Sequence, residues 1–227
     1  MAVQLGLDLP VRTALGRDDF MIAPSNAVAV AMIENWRAWP LAKLVLYGPE
    51  ASGKTHLTHV WAAECGARII PALDLEDTEI TTLAKTPIAV TRVDMIRNNT
   101  TAQTDLFHLH NLLHSAGMPL LMTGIQPPTR WHLSLPDLQS RVAAAGHASL
   151  DPPDDILLGA VLAKHFNDRQ VKPRPDVIPY LITHMERSFA SAQQIVSALD
   201  AASIARKKPI TRALAVETLD NEVRSGG

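Results

Sequence analysis

The chain has 227 residues, of which 47% are hydrophobic and 19% charged, with a net charge of −2. It is long and apolar enough to bury a core, which excludes a disordered chain, and it lacks the strongly basic balance of a protein that binds nucleic acid directly. A single cysteine, Cys65, excludes a disulfide framework or a cysteine-based zinc site and fits a reducing compartment.

The N-terminus has no basic segment followed by an apolar core, so no signal peptide is expected. No apolar run approaches the roughly 18 residues that span a bilayer. A cytoplasmic protein without membrane contact is the expectation. Residues 1–25 carry Pro10 and Pro24 and read as poorly structured. Asn26 to Trp36 then reads as a helix. Apolar runs at Leu44–Tyr47, Arg68–Pro71, Ile88–Thr91 and Leu120–Thr123 read as strands, and a last short strand is expected at His147–Leu150. Helical segments separate them at 55–65, 78–84 and 102–115. Strands alternating with helices predict a parallel sheet with helices on both faces. The runs are continuously apolar, as strands buried on both faces should be.

The character changes at Asp151-Pro152-Pro153. Beyond it, Asp154–Asn167, Asp176–Arg187, Ser191–Lys207 and Thr211–Val223 read as helices, punctuated by Pro173, Pro175 and Pro209. The chain is therefore expected to join an α/β domain over 11–151 to a small all-helical domain over 152–227.

Between the first strand and the next helix lies Gly48-Pro49-Glu50-Ala51-Ser52-Gly53-Lys54-Thr55, a complete G-x-x-x-x-G-K-[ST] loop. The strand–loop–helix setting is what the motif requires. Glycines let backbone N–H groups turn inward around phosphate oxygens, and the helix N-terminus adds its positive end. Lys54 is placed to reach the β/γ-phosphates and the Thr55 hydroxyl to reach a Mg²⁺ ion. Nucleotide binding by Gly48, Pro49, Ala51, Ser52, Gly53, Lys54, Thr55 and His56 follows as an expectation, with ADP or ATP as the ligand.

The phosphate loop, the α/β core and the helical C-terminal part together resemble the AAA+ ATPases. Further stretches narrow the resemblance. Phe20-Met21-Ile22-Ala23-Pro24-Ser25-Asn26 is similar to the entry segment of the bacterial replication initiator DnaA and its relatives, which adds Asn26 to the nucleotide site. Leu120 to Pro128 resembles their sensor 1 strand and the Pro-Pro turn after it. Leu135-Pro136-Asp137-Leu138-Gln139-Ser140-Arg141-Val142 resembles their box VII, and Leu199-Asp200-Ala201-Ala202-Ser203 their lid helix. DnaA carries a further DNA-binding domain that this sequence does not contain, so the chain looks like the short Hda (HdaA) family of DnaA homologues. The resemblance implies an AAA+ P-loop domain with a five-stranded parallel sheet, plus a small all-α lid.

Two partners are implied with it. Gln4-Leu5-Gly6-Leu7-Asp8-Leu9 matches the Q-L-x-L-x-L pattern by which Hda proteins dock on the polymerase sliding clamp, making residues 1–10 a flexible tail that uses Gln4, Leu5, Leu7 and Leu9. An extended tail that orders on its partner suits that role. The box VII arginine, Arg141, is implied to act in trans as an arginine finger at the ATP site of DnaA. A homodimer through the same surfaces is conceivable within the family.

Three departures stand out. The acidic pair expected after the strand at 88–91 is replaced by Thr91 and Arg92; Asp94 is the first carboxylate and comes two residues late. The sensor 1 position is apolar, Ile125. The lid arginine is absent, with Ala190 at the matching position and Arg187 out of phase. An arginine beside a metal site repels Mg²⁺. The chain is thus expected to hydrolyse ATP poorly and to act on a partner's hydrolysis. The competing functions are a helicase-loader-like adaptor, a stand-alone P-loop ATPase or kinase, and a divergent paralogue that no longer acts on DnaA. His108, His110 and His114 are read as a polar helix face and not as a metal site, since Asp105 is the one further ligand type at suitable spacing.

Overall fold

The computed structural model describes residues 22–225. Among them, five parallel strands form one sheet in the order β2-β3-β4-β1-β5. The strands are β1 (Lys43–Tyr47), β2 (Arg68–Pro71), β3 (Ile88–Thr91), β4 (Leu120–Gly124) and β5 (Gly146–Ser149). Helices α1 (Ala27–Glu34), α2 (Lys54–Cys65), α3 (Ile80–Leu83), α4 (Thr100–Ser115) and α5 (Pro136–Ala144) cover it.

The continuous apolar runs have a simple cause. Val45, Ile88, Val90, Leu120 and Met122 point to one face and pack with α4 and α5. Their strand neighbours Leu44, Leu46, Ala89 and Leu121 point to the other face and pack with α1 and α2. Alternation along each strand therefore feeds two cores, and every position of the central strands is buried except the last residues of β1 and β3, Tyr47 and Thr91, which are half-buried. The edge strand β2 shows the contrast: Arg68 and Pro71 are exposed while Ile70 is buried.

The element limits follow local chemistry. Asn99 caps α4, its Oδ1 accepting a hydrogen bond from Ala102 N at 3.1 Å, so the helix starts two residues before the sequence suggested. Gly66 ends α2 in the left-handed conformation at φ 71°. One helix was not assigned from sequence: α5, which carries box VII. Pro136 stands at its first turn, and Leu138 and Val142, four residues apart, are both buried.

Beyond β5, α6 (Asp155–Asp168), α7 (Val177–His184), α8 (Phe189–Arg206) and α9 (Arg212–Ser225) pack on one another. They bury a core of their own, with Leu162, Phe166, Leu181, Ile195 and Leu199. This helical unit touches the phosphate loop directly: Phe189 N donates to Ala51 O at 3.4 Å.

The helices after β1 and β4 leave for opposite faces. Leu57 and Trp61 of α2 lie in one core, and Leu138 and Val142 of α5 in the other. In an open parallel sheet such divergence leaves a crevice at the carboxyl ends of the strands, where ligands bind.

Candidate functional site

The loop that leaves β1 lies in that crevice. Gly48 is buried, and its N–H donates to Gly124 O at the end of β4, 3.3 Å away. A Cβ on Gly48 would come within 2.2 Å of Leu150 O, so only glycine passes between β1 and the end of β5. Gly53 has φ 98° and turns the chain into α2. Ala51 also takes a left-handed φ of 54°, which closes the loop tightly. Ser52 is buried beneath it at 2% exposure, while Thr55 is exposed on the first turn of α2.

Lys54 Nζ donates to Gly48 O and to Pro49 O, each at 2.6 Å. The ammonium is thus held against the loop it serves. Burial pushes its pKa below the ordinary lysine value, and the carboxylates of Asp94 and Glu50 act in the opposite direction. Asn26, buried at 3%, ties the entry segment, with its Oδ1 accepting from Ala23 N at 2.9 Å. Asp151 N donates to Ser25 O at 3.4 Å, so the entry segment closes on the end of the sheet domain. His56 is half-buried on the first turn of α2. Gly48, Pro49, Ala51, Ser52, Gly53, Lys54, Thr55 and His56 therefore share one loop and helix start, and Asn26 anchors the segment beside it. Gln4, Leu5, Leu7 and Leu9 lie outside the described residues.

The three departures have distinct geometries. Thr91 ends β3, and Arg92 is exposed with φ 59°. The N–H of Arg92 donates to Thr123 Oγ1 at 3.1 Å, which fixes this left-handed turn. The turn swings the next residues back toward β4, and Asp94 Oδ2 accepts from Ile125 N at 3.0 Å. The carboxylate that comes two residues late in sequence thus stands at the carboxyl edge of β4. A residue count does not reveal this, because it carries no sign of φ, and the left-handed turn at Arg92 redirects the chain. Ile125 itself is 40% exposed and offers no polar side chain.

On the helical unit, Ala190 is exposed on the first turn of α8, and Arg187 forms an ion pair with Asp155 of α6. Ser188 caps α8, its Oγ accepting from Ser191 N at 3.0 Å. The start of α8 faces the phosphate loop without any basic side chain on its first turn.

Arg141 lies elsewhere. It is exposed on α5, beside the buried Val142. Among the described residues no carboxylate pairs with it. Its charge and that of Lys43 both act on His110, whose pKa burial and these charges push down to about 4. Lys43 is the first residue of β1, and the phosphate loop leaves the other end, roughly 13 Å along a five-residue strand. Arg141 thus sits toward the edge of the sheet away from its own loop.

The histidine reading needs correction. His108 and His114 are exposed, but His110 is buried at 3%, so α4 does not carry one continuous polar histidine face. His110 fills the space beside the buried Lys43, whose Nζ donates to Met118 O at 3.0 Å. Among the described residues no group of three or more His, Cys, Asp or Glu side chains is arranged to hold a metal ion. Thr55, exposed on the first turn of α2, and the half-buried Asp94 are oxygen donors of the kind that Mg²⁺ takes beside phosphates and water. Among the same residues, no helix is long and apolar enough to cross a membrane.

Comparison with known proteins agrees with the architecture. Residues 157–219 match the family described as "Hda, lid domain". The chromosomal replication initiator protein DnaA of Cutibacterium acnes is 24% identical over 92% of this chain and 46% of its own length. The chain spans about half the length of the DnaA relatives it matches. Among solved structures, domain III of DnaA from Thermotoga maritima superposes with a TM-score of 0.79, covering 94% of this chain and 98% of that one at 17% identity. AMPPCP-bound DnaA from Aquifex aeolicus superposes with a TM-score of 0.72, covering 82% of this chain and 64% of that one at 14% identity.

Proposed function

We propose, for this member of the Hda/DnaA-like AAA+ family, a regulatory role in replication initiation that acts through a second protein. In this reading residues 1–10 are a tail for the sliding clamp, 11–151 a nucleotide-binding AAA+ domain and 152–227 its lid. ADP or ATP, with Mg²⁺, occupies the loop from Gly48 to Thr55 and stabilises the fold. Arg141 is donated to the ATP held by DnaA and stabilises the charge that develops during hydrolysis there. The protein works in the cytoplasm, and pairing of two copies through the same surfaces is compatible with it.

One observation carries the reading: an intact phosphate loop stands in a site with an apolar sensor 1 residue, Ile125, and no lid arginine, while an exposed arginine with no carboxylate partner among the described residues lies away from that loop. A site so equipped holds a nucleotide better than it turns one over. An arginine so placed serves a neighbour's phosphates more easily than its own.

The test is hydrolysis of ATP by DnaA in the presence of clamp loaded on DNA. Addition of this protein should accelerate it, and Arg141→Ala should abolish the acceleration while leaving thermal stability unchanged. Equal acceleration by the variant would remove Arg141 from the mechanism. Steady ATP turnover by this protein alone would favour a stand-alone ATPase.

A further inference from the structure

We propose that Asp94 is the metal-facing carboxylate of the phosphate site, holding the waters of a Mg²⁺ ion that arrives with a nucleoside diphosphate or triphosphate. The proposal rests on the nucleotide-binding reading of the loop from Gly48 to Thr55. It assigns the metal role to a residue that the family pattern passes over, in a chain whose usual acidic positions hold Thr91 and Arg92.

The argument starts from the backbone. β4 lies between β1 and β3 in the sheet. At its carboxyl end two successive residues face opposite neighbours. Gly124 O accepts from Gly48 N, the first residue of the phosphate loop, at 3.3 Å. Ile125 N donates to Asp94 Oδ2 at 3.0 Å. The exit of β4 therefore bridges the loop on one side and the Asp94 carboxylate on the other. The left-handed turn at Arg92, tied to Thr123 Oγ1, is what brings Asp94 back to this edge, while Arg92 itself is exposed, where solvent and salt screen its repulsion of a metal ion.

Electrostatics agree with the placement. Of the carboxylates that raise the Lys54 pKa, Asp94 is the first, ahead of the loop residue Glu50. A carboxylate that influences the lysine of a phosphate loop is within range of the ion that bridges the phosphates there. Its oxygens divide the work. Oδ2 is held by Ile125 N, and Oδ1 makes no hydrogen bond among the described residues, so it remains an acceptor for water. Asp94 is half-buried and borders an open cleft of about 590 Å³ lined also by Arg97, Ile125 and Arg130, a cleft beside the phosphate loop and not part of it, through which water reaches the carboxylate. Thr55, exposed on the first turn of α2, would offer a hydroxyl of the kind that Mg²⁺ takes beside phosphates and water. With Ile125 unable to orient an attacking water, such a site binds the metal–nucleotide complex without making hydrolysis fast.

The experiment is equilibrium binding of a fluorescent ADP to the full chain, with Mg²⁺ and with chelator. Asp94→Asn is the informative variant, since its amide oxygen still accepts from Ile125 N. The wild type should bind about tenfold more tightly with Mg²⁺, the scale on which outer-shell carboxylates act. Asp94→Asn should lose that gain and keep the Mg²⁺-free affinity. Manganese substituted for magnesium should give a nucleotide-dependent broadening of its spin-resonance signal in the wild type and not in the variant. If Asp94→Asn keeps the full Mg²⁺ gain, or if the wild type binds ADP with no metal response, the assignment of Asp94 is overturned and the nucleotide site stands. If the wild type binds no ADP under either condition, the nucleotide reading falls and takes the assignment with it.

Discussion

Gln103 Oε1 accepts a hydrogen bond from Leu135 N at 2.9 Å, joining the first turn of α4 to the residue that opens α5. The same oxygen accepts from Ser134 Oγ at 3.1 Å, and Nε2 donates to Ile96 O and Arg97 O, both at 2.9 Å. Gln103 is fully buried. One side chain thus ties the turn that carries Asp94 to the start of the helix that carries Arg141. Gln103→Met keeps the volume but takes the side-chain partner from Arg97 O and Leu135 N, both part-buried, and leaves Ile96 O with Asn99 N alone. It should destabilise the fold by roughly 2–4 kcal/mol. The check is urea denaturation; a loss below about 0.5 kcal/mol would mean that the surrounding groups find other partners.

Ligand linkage tests the loop itself. A ligand present at a hundred times its Kd adds about 2.7 kcal/mol to the folded state, which raises Tm by about 5–10 °C in a chain of this size. ADP should produce that shift in the wild type. Lys54→Ala removes the ammonium now held on Gly48 O and Pro49 O, and most of the shift should vanish. An unchanged Tm in the wild type at millimolar ADP would mark the loop as vestigial.

Gly48→Ala should do more harm than its size suggests. The new Cβ would meet Leu150 O at 2.2 Å, and that oxygen belongs to the backbone, which cannot rotate away. The loop or the end of β5 must move, at a cost of about 1–3 kcal/mol. The expected outcome is a lower Tm together with loss of the ADP shift. A variant with normal Tm and normal ADP response would contradict this close approach.

Acid should reveal His110. Its folded-state pKa is held near 4 by burial, by Lys43 and Arg141 on neighbouring elements and by His114 on its own helix, against an ordinary value of 6.5. The unfolded chain therefore takes up a proton below pH 6.5 that the folded chain refuses until about pH 4. Stability is complete above pH 6.5 and falls as the pH drops, by about 3 kcal/mol across that window. His110→Gln should flatten this part of the profile of unfolding free energy against pH. A wild-type curve that stays level between pH 6.5 and 4.5 would show that the ring is hydrated.

The proposed docking of residues 4–9 on the clamp is tested by substitution. Gln4→Ala combined with Leu7→Ala should abolish capture by the polymerase clamp and leave the ADP response intact. Undiminished capture would move the docking site elsewhere on the chain.

Sequence by itself determined the architecture. Continuous apolar runs of four or five residues, separated by helical segments, leave few options but a parallel sheet with two covered faces. The phosphate loop was legible for the same reason: its spacing is local, set by how few residues can turn a strand into a helix around an anion. The helical unit at the C-terminal side was legible as helices between prolines, and residues 157–219 match the family described as "Hda, lid domain". Three features came from the tertiary structure alone. Asp94 returns to the end of β4 because Arg92 takes a left-handed turn, and no residue count foretells that sign of φ. His110 is buried because Lys43, 67 positions earlier in the chain, begins the strand beside it. Arg141 lies toward the far edge because α5 packs on α4 with Leu138 and Val142 buried and Arg141 turned outward. Short-range chemistry is written in neighbouring residues, whereas the company a charge keeps depends on which distant segments the chain folds against it.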